Sequence, residues 1–358
     1  MLVLGIESTC DETAAAVVRD GVEVLSSAVA TQFELHEKFR GVVPEIASRA
    51  HIQNILPVIT EACQQANVRL PDLDAIAVAY RPGLIGSLLI GVTAAKTLAW
   101  SLDKPLVAVD HVQAHLYSVM LHEPAGGGRQ GASSGTLAPC PPPIAPAVGL
   151  VCSGGHTALY LVRGWDDVRL IGSTIDDAVG EAYDKVAALL GLPFPGGPVI
   201  DRLATRGNPK AYEFPRSMLG RDSLDFSFSG LKTAVRYQVF GYQGRSRNAT
   251  DLSEREVADV AASFQAACVD VLIAKVRRAV ERFGAKSVII GGGVSANSGL
   301  RAAAATAHFP AMRFCTDNAA MIAGLGHVHL ASGRVAGLDL DAVTHSSIEP
   351  LESTAARA

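Results

Sequence analysis

The stretch GIESTCDETA, residues 5–14, is matched at one constant offset by GLVCSGGHTA, residues 149–158. In both segments an apolar run enters a short polar turn, and a threonine then opens a second apolar run. That second run ends before an arginine in each case, Arg19 and Arg163. Two apolar runs separated by a turn are typical of neighbouring strands in a buried sheet. The match therefore predicts a structural unit that occurs twice in the chain.

A second correspondence supports this duplication. Apolar residues 75–80 lead into a glycine turn and a helical pattern, and residues 287–290 do the same in the second half. The period of the apolar residues predicts helices at 43–67, 87–102, 177–190, 254–283 and 318–331. Strands alternating with helices are the pattern of an α/β protein. We therefore expect a duplicated α/β fold of two lobes with a central cleft.

Composition limits the class of protein. The chain has 358 residues, of which 49% are hydrophobic and 18% charged, which fits two folded domains and excludes a disordered chain. The net charge of −4 argues against broad adhesion to nucleic acid but allows a local basic groove. The six cysteines are scattered without a C-x-x-C pair, as in proteins of a reducing compartment.

No segment is predicted to enter a membrane. The N-terminus lacks the basic region of a signal peptide. The most apolar window, residues 76–102, contains charged residues and a proline, so we interpret it as a buried strand, turn and helix. The expected location is the cytoplasm.

Composition also suggests the domain boundaries. Residues 1–122 are expected to form the N-terminal lobe and residues 147–348 the C-terminal lobe. The segment 123–146 between them is rich in proline and glycine and is interpreted as a linker or insertion. Residues 349–358 have no apolar pattern and are expected to fray.

Two histidines, His111 and His115, follow the apolar run 105–109 and lie four residues apart. On a helix this spacing puts both imidazoles on one face, where they can bind one metal ion. Asp317 precedes another predicted helix and is either its N-cap or the carboxylate that completes a two-histidine, one-carboxylate site. Fe(II) and Zn(II) both suit such ligands. The alternative is that the histidines are unrelated core or surface residues.

Glycine turns follow two predicted strands of the second half. Ser153-Gly154-Gly155 could cradle a phosphate through bare backbone N–H groups, or could be an ordinary hairpin turn. Residues 291–293 precede a predicted helix, and Asn297 either reads a ligand there or caps the turn.

Acidic residues accompany the next two turns. Asp177 is expected to be a helix N-cap, and Asp184 lies two turns further along the same face. Asp184 could hold a ribose hydroxyl or an amine. Gly197, in a rigid proline-glycine turn before Asp201, is a candidate for close approach of a ligand.

Other enzyme classes lack their motifs. The sequence has no G-x-S-x-G, no Walker A loop and no H-E-x-x-H, which argues against serine hydrolases, P-loop enzymes and the common metalloproteases.

Ordered motifs along nearly the whole chain resemble the bacterial TsaD family of tRNA threonylcarbamoyladenosine synthesis proteins, formerly labelled sialoglycoproteases. The resemblance rests on residues 5–13, 41–51, His111 and His115, and residues 153–157, 181–185, 225–233, 292–297 and 315–318.

This resemblance implies a duplicated actin, sugar kinase and Hsp70-like (ASKHA) fold. It also implies transfer of the threonylcarbamoyl group from threonylcarbamoyl-AMP to N6 of the adenosine 3′ of the anticodon, in tRNAs that read codons starting with A. His111, His115 and Asp317 match the metal ligands, with one divalent ion, Fe(II) favoured over Zn(II). The residues that match contacts to the adenylate are Val151, Cys152, Ser153, Gly154, Gly155, Asp184, Gly197, Asp201 and Asn297.

The implied partners are tRNA, threonylcarbamoyl-AMP and TsaB-like and TsaE-like proteins. No side chain is assigned as the base for the adenosine amine, so the catalytic residues stay unknown. The alternatives are an ATPase or small-molecule kinase of the same fold, with Asp11 or Glu12 as the catalytic acid, and a noncatalytic subunit. Arg40 and Arg81 stand where the family usually has glycine, and we hypothesise that they bind tRNA phosphate.

Overall fold

The structure is a computed structural model, and the residues it describes are 1–39, 41–124, 141–220, 222–241, 249–346 and 348–351. The described residues divide into two compact units. Unit 1 comprises Met1–Pro142 with Pro310–Ser347, and unit 2 comprises Pro143–Phe309 with Ile348–Ala358. Most of the predicted linker (residues 125–140) and Arg40 lie outside the described residues.

Unit 1 contains a five-stranded sheet in the order β3-β2-β1-β4-β5. Its strands are β1 (Leu2–Glu7), β2 (Glu12–Arg19), β3 (Glu23–Thr31), β4 (Ala75–Arg81) and β5 (Leu106–Asp110). The first three strands are antiparallel, whereas β4 lies parallel to both β1 and β5. The helices of this unit are α1 (Phe33–Glu37), α2 (Pro44–Ala66), α3 (Ile85–Leu102), α4 (His111–Tyr117) and α10 (Ala319–Ala331).

Unit 2 repeats this arrangement with one strand fewer, in the order β8-β7-β6-β9. Its strands are β6 (Ala147–Cys152), β7 (Thr157–Gly164), β8 (Asp167–Ser173) and β9 (Ser287–Gly291). Strand β6 pairs antiparallel with β7 and parallel with β9, as β1 does with β2 and β4. The helices are α5 (Val179–Leu189), α6 (Gly196–Ala204), α7 (Ser229–Phe240), α8 (Glu254–Phe283) and α9 (Ser298–Ala303). The duplication predicted from the sequence is confirmed.

Strands β1, β2 and β4 are buried on both faces of the sheet of unit 1, whereas the edge strand β3 alternates between buried and more exposed residues. Leu4 and Ile6 of β1 belong to an apolar cluster that includes Ile59 of α2 and Leu88 of α3. Gly5, between them, faces the opposite side, where a Cβ would meet the backbone of α10. Helix α10 therefore packs directly on β1.

The core of unit 2 forms around α8. Buried side chains of this helix, among them Phe264 and Leu272, share one cluster with Leu150 of β6 and with Phe226. The helix begins with a capping box at Ser253 and ends at Gly284, which has a φ of 60°. Both ends agree with the boundaries predicted from the sequence.

Among the described residues, two helices, α3 and α8, are long and apolar enough to cross a membrane by length and composition alone. Two thirds of the apolar window of α8 is buried inside the protein, as in the core helix of a globular domain. This is weak evidence for a membrane protein.

The structure differs from the predicted domain boundaries in two places. Residues 310–347 pack with the N-terminal unit rather than with the second lobe, because α10 covers β1, β2 and β4. The C-terminal tail is not frayed at its start, since the Leu170 N–H donates to the Glu349 carbonyl and the Leu351 N–H to the Leu170 carbonyl. Residues 352–358 lie outside the described residues.

Candidate metal centre and ligand cradle

The histidine pair lies at the start of α4, directly after strand β5. The Asp110 carboxylate caps this helix by accepting hydrogen bonds from the N–H groups of Val112 and Gln113, at 3.0 and 3.2 Å. The helix therefore begins at His111, and His115 follows one turn later on the same face. Both side chains are buried.

Asp317 of unit 1 lies beside the two imidazoles. Its Oδ1 is 3.2 Å from His115 Nε2 and 3.6 Å from His111 Nε2. One ligand atom from each of the three side chains lies within 4.8 Å of the other two. Ligand atoms bound to one metal at about 2.1 Å lie about 3.0–3.4 Å apart in octahedral or tetrahedral geometry. The three residues therefore fit one metal ion after small side-chain movements.

Asp317 lies just before α10 but is not the N-cap of that helix. The N-cap is Asn318, whose Oδ1 accepts the Met321 N–H at 3.0 Å. Of the two roles considered for Asp317 from the sequence, the N-cap role is wrong, and the ligand role stays a prediction that the position beside the two histidines allows. The position of the helix itself depends on Gly5, because a Cβ there would lie 2.7 Å from the Ala323 nitrogen.

Glu7, the last residue of β1, orients His111. Its Oε2 lies 2.8 Å from His111 Nδ1, while its Oε1 accepts the Thr9 N–H at 2.6 Å. A proton held on Nδ1 by this carboxylate leaves the Nε2 lone pair directed at the Asp317 side, as metal coordination requires. Within the described residues, the buried His115 Nδ1 has no hydrogen-bond partner.

The electrostatics of this site favour a cation. Burial raises the pKa of Glu12 to about 10, and the nearby charges of Asp317 and Asp11 act in the same direction. Burial alone would lower the pKa of His111, but the charges of Glu7 and Asp317 outweigh it and raise that pKa to about 9. Acidic groups crowded into a buried site are stabilised by a divalent cation.

Replacing Glu7 by glutamine is expected to weaken metal binding about 10- to 100-fold, the usual effect of losing a carboxylate behind a histidine ligand. The carboxylate of Glu7 accepts the Thr9 N–H at one oxygen and faces His111 Nδ1 with the other. A glutamine amide has only one accepting oxygen, so it cannot make both contacts in the same geometry, and the imidazole loses its orientation. Competition with a chelator measures the affinity. Glu23→Gln, at an exposed pair with Arg19, is the control. Equal affinities for Glu7→Gln and the wild type would contradict this role.

The second group of predicted site residues lies entirely in unit 2. Strand β6 ends at Cys152 and enters a turn closed by a hydrogen bond from Ser153 N–H to the His156 carbonyl, at 2.8 Å. At Gly154 and Gly155 an added Cβ would meet nothing within 4 Å. Neither glycine has a positive φ. No contact within the described residues therefore explains why these positions lack side chains, whereas an approaching ligand would.

Two further glycines allow neighbouring segments to pack directly against the backbone of this turn. A Cβ on Gly180 of α5 would lie 2.5 Å from the Ser153 carbonyl oxygen. A Cβ on Gly292, where φ is 87°, would lie 2.5 Å from the Cys152 carbonyl oxygen. The β6 turn, the start of α5 and the turn after β9 are thus in direct backbone contact. We call these segments, together with the start of α6 and Asn297, the ligand cradle.

Asp184 and Gly197 meet at the start of α6. Asp184 Oδ1 accepts the Gly196 N–H at 2.7 Å, and burial raises the pKa of its carboxyl group. An added Cβ on Gly197 would meet nothing within 4 Å. The prediction that Asp177 caps α5 is wrong. The N-cap is Ala178, Thr157 Oγ1 accepts the Val179 N–H at 2.8 Å, and the Asp177 carboxylate pairs with Lys185 at 2.7 Å.

Asp201 and Asn297 are joined by hydrogen bonds inside unit 2. Asp201 Oδ1 accepts from Ser298 Oγ at 2.7 Å and from Gln265 Nε2 at 3.0 Å. Asn297 caps α9 by accepting the Leu300 N–H at 2.9 Å, and its amide donates to Gln265 Oε1 at 2.8 Å. Of the two roles considered for Asn297 from the sequence, the structure shows a cap, at the start of α9, and contact with a ligand stays a prediction.

Arg81 has an internal partner. Its Nε donates to Asp110 Oδ2 at 3.1 Å, and its guanidinium lies 4.5 Å from the centre of the Tyr80 ring. Arg40 lies outside the described residues. Binding of tRNA phosphate by these arginines stays a hypothesis.

Sequence reasoning missed Glu7 and Gln265. Glu7 was noted only as part of a motif, although it ends β1 at the same sheet edge at which β5 delivers the histidines. The rule that ligands gather at the carboxyl ends of parallel strands could have found it. Gln265 lies in the middle of a helix and carries no local signal.

Solved structures of similar fold include HypF from T. kodakarensis, with a TM-score of 0.55 and 16% identity over 92% of this chain and 48% of that one. They also include the activator of 2-hydroxyisocaproyl-CoA dehydratase from Clostridium difficile, with a TM-score of 0.51 and 12% identity over 93% and 97% of the two chains. The chain is thus a protein of the ASKHA fold class with a candidate His/Asp metal centre.

The family follows from sequence comparison. The family model described as "TsaD: tRNA N6-adenosine threonylcarbamoyltransferase" matches residues 23–324. A protein of that name from Rhodopirellula baltica is 51% identical over 95% of both chains. Another from Geotalea uraniireducens is 45% identical over 100% of this chain and 98% of its own. The chain belongs to the TsaD family.

Proposed function

We propose that this protein transfers the threonylcarbamoyl group from threonylcarbamoyl-AMP to N6 of the adenosine 3′ of the anticodon, in tRNAs that read codons starting with A. The N6 amine attacks the carbamoyl carbon, the bond from that carbon to the phosphate oxygen breaks, and AMP leaves while the amine loses a proton. The observation that carries the proposal is the full-length similarity to relatives named as this transferase. Within the described residues, nothing favours the ATPase or kinase alternative.

We infer that the ligand cradle of unit 2 holds the adenylate part of the donor. The residues that we propose contact it are Val151, Cys152, Ser153, Gly154, Gly155, Asp184, Gly197, Asp201 and Asn297. Support comes from the open space at Gly154, Gly155 and Gly197, which a side chain would fill. Backbone N–H groups at such glycines can bind phosphate oxygens and stabilise the AMP leaving group. Asp201 and Asn297 support the cradle through hydrogen bonds to neighbouring residues.

Replacing Gly197 by leucine is expected to raise the Kd for AMP at least about tenfold, because the new side chain occupies the space proposed for the ligand. Stability should stay unchanged or rise slightly, since Gly197 lies in a helix with ordinary backbone angles and nothing lies within 4 Å of an added Cβ. Calorimetric titration with AMP and thermal melting measure the two effects.

Gly230→Leu is the matched control. Gly230 is the second residue of α7, as Gly197 is of α6, and an added Cβ there also meets nothing within 4 Å. This variant should bind AMP like the wild type. Wild-type affinity in Gly197→Leu would contradict the proposed cradle.

We propose that His111, His115 and Asp317 hold one divalent metal ion, with Fe(II) favoured and Zn(II) possible. Two imidazoles and a carboxylate with open positions are typical of non-haem Fe(II) sites. When bound, the ion would supply Lewis-acid polarisation of the carbamoyl oxygen. Glu7 keeps the proton on His111 Nδ1, and Asn318 takes over the cap of α10, so that Asp317 stays directed at the histidines. Metal analysis of protein purified without oxygen distinguishes the two ions.

We propose that protein partners complete the enzyme, with a TsaB-like protein docking on helices α2 and α3. These helices pack on each other and expose large apolar side chains, at Ile52, Leu56, Ile85, Leu89 and Trp100. Exposed apolar side chains on two helices that pack together favour a protein interface. The TsaE-like partner and the cytoplasmic location rest on the family resemblance.

The reaction is tested with the purified chain, its TsaB-like and TsaE-like partners, threonylcarbamoyl-AMP and an unmodified tRNA that reads an A-starting codon. Mass spectrometry of the tRNA nucleosides should detect threonylcarbamoyladenosine. ATP hydrolysis that proceeds without tRNA, together with no modified nucleoside, would favour the kinase-like alternative.

A further inference from the structure

We propose that Gln265 is a positioning residue that holds the ligand cradle of unit 2 in its binding geometry. The side chain of Gln265 lies on α8 and is buried. It donates from Nε2 to Asp201 Oδ1 of α6 at 3.0 Å and accepts at Oε1 from Asn297 Nδ2 at 2.8 Å. One amide therefore joins two residues matched to adenylate contacts. This inference rests on the proposed adenylate site.

The neighbours of Gln265 leave it little freedom. A Cβ on Gly299, in the first turn of α9, would lie 2.8 Å from Gln265 Nε2, so the backbone of α9 is close to the amide. Asp201 also accepts from the Ser298 N–H and Oγ, at 3.1 and 2.7 Å, at the start of the same helix. The amide thus fixes α6, α9 and the turn that carries Asn297 to the rigid core helix α8.

The direction of the two hydrogen bonds makes the glutamine specific. Asp201 needs a donor, and the Asn297 amide needs an acceptor, and a primary amide supplies both at once. A leucine of similar volume supplies neither, which leaves the buried Asn297 amide and the half-buried Asp201 carboxylate without this partner. A glutamate supplies both only when it is protonated, because an ionised carboxylate cannot donate to Asp201.

Titratable groups approach this position from neighbouring elements. Asp201 approaches from α6, and Tyr183 approaches from α5 with a pKa raised well above its usual value by burial. Cys268 lies one turn along α8, and burial raises the pKa of its thiol as well. Arg301 of α9 donates to the Ser295 carbonyl at 2.8 Å. A carboxyl group introduced beside Asp201 in this buried place therefore holds its proton to higher pH than in water.

The test compares Gln265→Leu and Gln265→Glu with the wild type in the full-length protein. AMP is the probe for binding, and threonylcarbamoyl-AMP with tRNA is used for kinetics in the complete complex. Gln265→Leu is expected to raise the Kd for AMP and the KM for the donor about tenfold, with kcat within about twofold. For Gln265→Glu, each Kd for AMP is divided by the wild-type Kd at the same pH. This ratio should equal that of Gln265→Leu at pH 8.5 and should approach one as the pH falls to 6.

Ser263→Ala is the control for a purely structural effect. Ser263 is buried on the same helix and also bridges two groups, because its Oγ donates to the Asn208 carbonyl at 3.1 Å and accepts the Tyr212 N–H at 3.2 Å. It touches no part of the cradle in these bonds. The variant should lose stability yet bind AMP like the wild type.

Folded Gln265→Leu with a wild-type Kd would overturn the inference, and so would a Gln265→Glu variant whose relative Kd does not change with pH. If Gln265→Leu does not fold, the pH dependence of Gln265→Glu still decides. Formation of threonylcarbamoyladenosine by the wild type reports on the proposed function separately. If the wild type modifies tRNA and the Gln265 variants have an unchanged KM for the donor, the positioning role is refuted while the proposed function stands.

Discussion

Alanine at His115 is expected to remove the bound metal and to lower the rate of threonylcarbamoyl transfer by about 10²–10³-fold. His115 Nε2 lies 3.2 Å from Asp317 Oδ1 in a fully buried position, so water cannot easily take its place as a ligand. Polarisation by a bound cation contributes several kcal/mol to such a reaction, and about 1.4 kcal/mol corresponds to a tenfold change in rate. Metal content by mass spectrometry and initial rates of nucleoside formation measure the two losses together.

The control for this prediction is His122→Ala. His122 lies in the same unit but outside the cluster, and its Nδ1 is 3.0 Å from the Glu123 carbonyl oxygen. That variant should keep its metal and its rate. A His115→Ala protein with a full complement of metal and a rate within about threefold of the wild type would show that the cluster is not the metal centre.

Alanine at Gly5 is expected to destabilise unit 1 by about 2–3 kcal/mol, the usual cost of overpacking a tight core position. The added Cβ would meet the carbonyl oxygen of Ala319, would lie 2.7 Å from the Ala323 nitrogen and would have to push α10 away from β1. Asp317 directly precedes this helix, so its carboxylate should move away from the histidines as well. Urea unfolding measures the stability, and chelator competition measures the weaker metal binding.

Gly164→Ala is the matched variant for Gly5→Ala. Gly164 also lies in a strand, but an added Cβ there would meet nothing within 4 Å. Its unfolding free energy should stay within about 0.5 kcal/mol of the wild type. If Gly5→Ala unfolded at the same urea concentration as Gly164→Ala, the close packing of β1 on α10 would not be needed for stability.

Local patterns were sufficient for most of the fold. The two copies of the strand-turn-strand unit predicted β1 with β2 and β6 with β7, and the apolar period predicted α8 with its observed ends. Such features depend on neighbouring residues, whose alternation or helical period is visible in the sequence. The same local reasoning gave a cap as one of the two roles considered for Asn297, which caps α9.

What the sequence could not provide were contacts between distant segments. Residues 310–347 return to unit 1, and no linker composition marks that return. Glu7 and His111 are 104 positions apart and meet only because β1, β4 and β5 are neighbours in one sheet. The cap at Asp177 was wrong for a similar reason. Thr157, at the start of strand β7, accepts the Val179 N–H that a capping Asp177 would have accepted.

Direct transfer of the threonylcarbamoyl group to tRNA can be followed with threonylcarbamoyl-AMP that carries ¹³C in the carbamoyl carbon. The labelled donor is incubated with the complete complex and unmodified tRNA, and nucleosides and free AMP are quantified by mass spectrometry. We expect labelled threonylcarbamoyladenosine in the tRNA, with AMP released in equal amount and neither formed by His111→Ala/His115→Ala. Release of AMP with the label lost to solvent, and no label in tRNA, would contradict it.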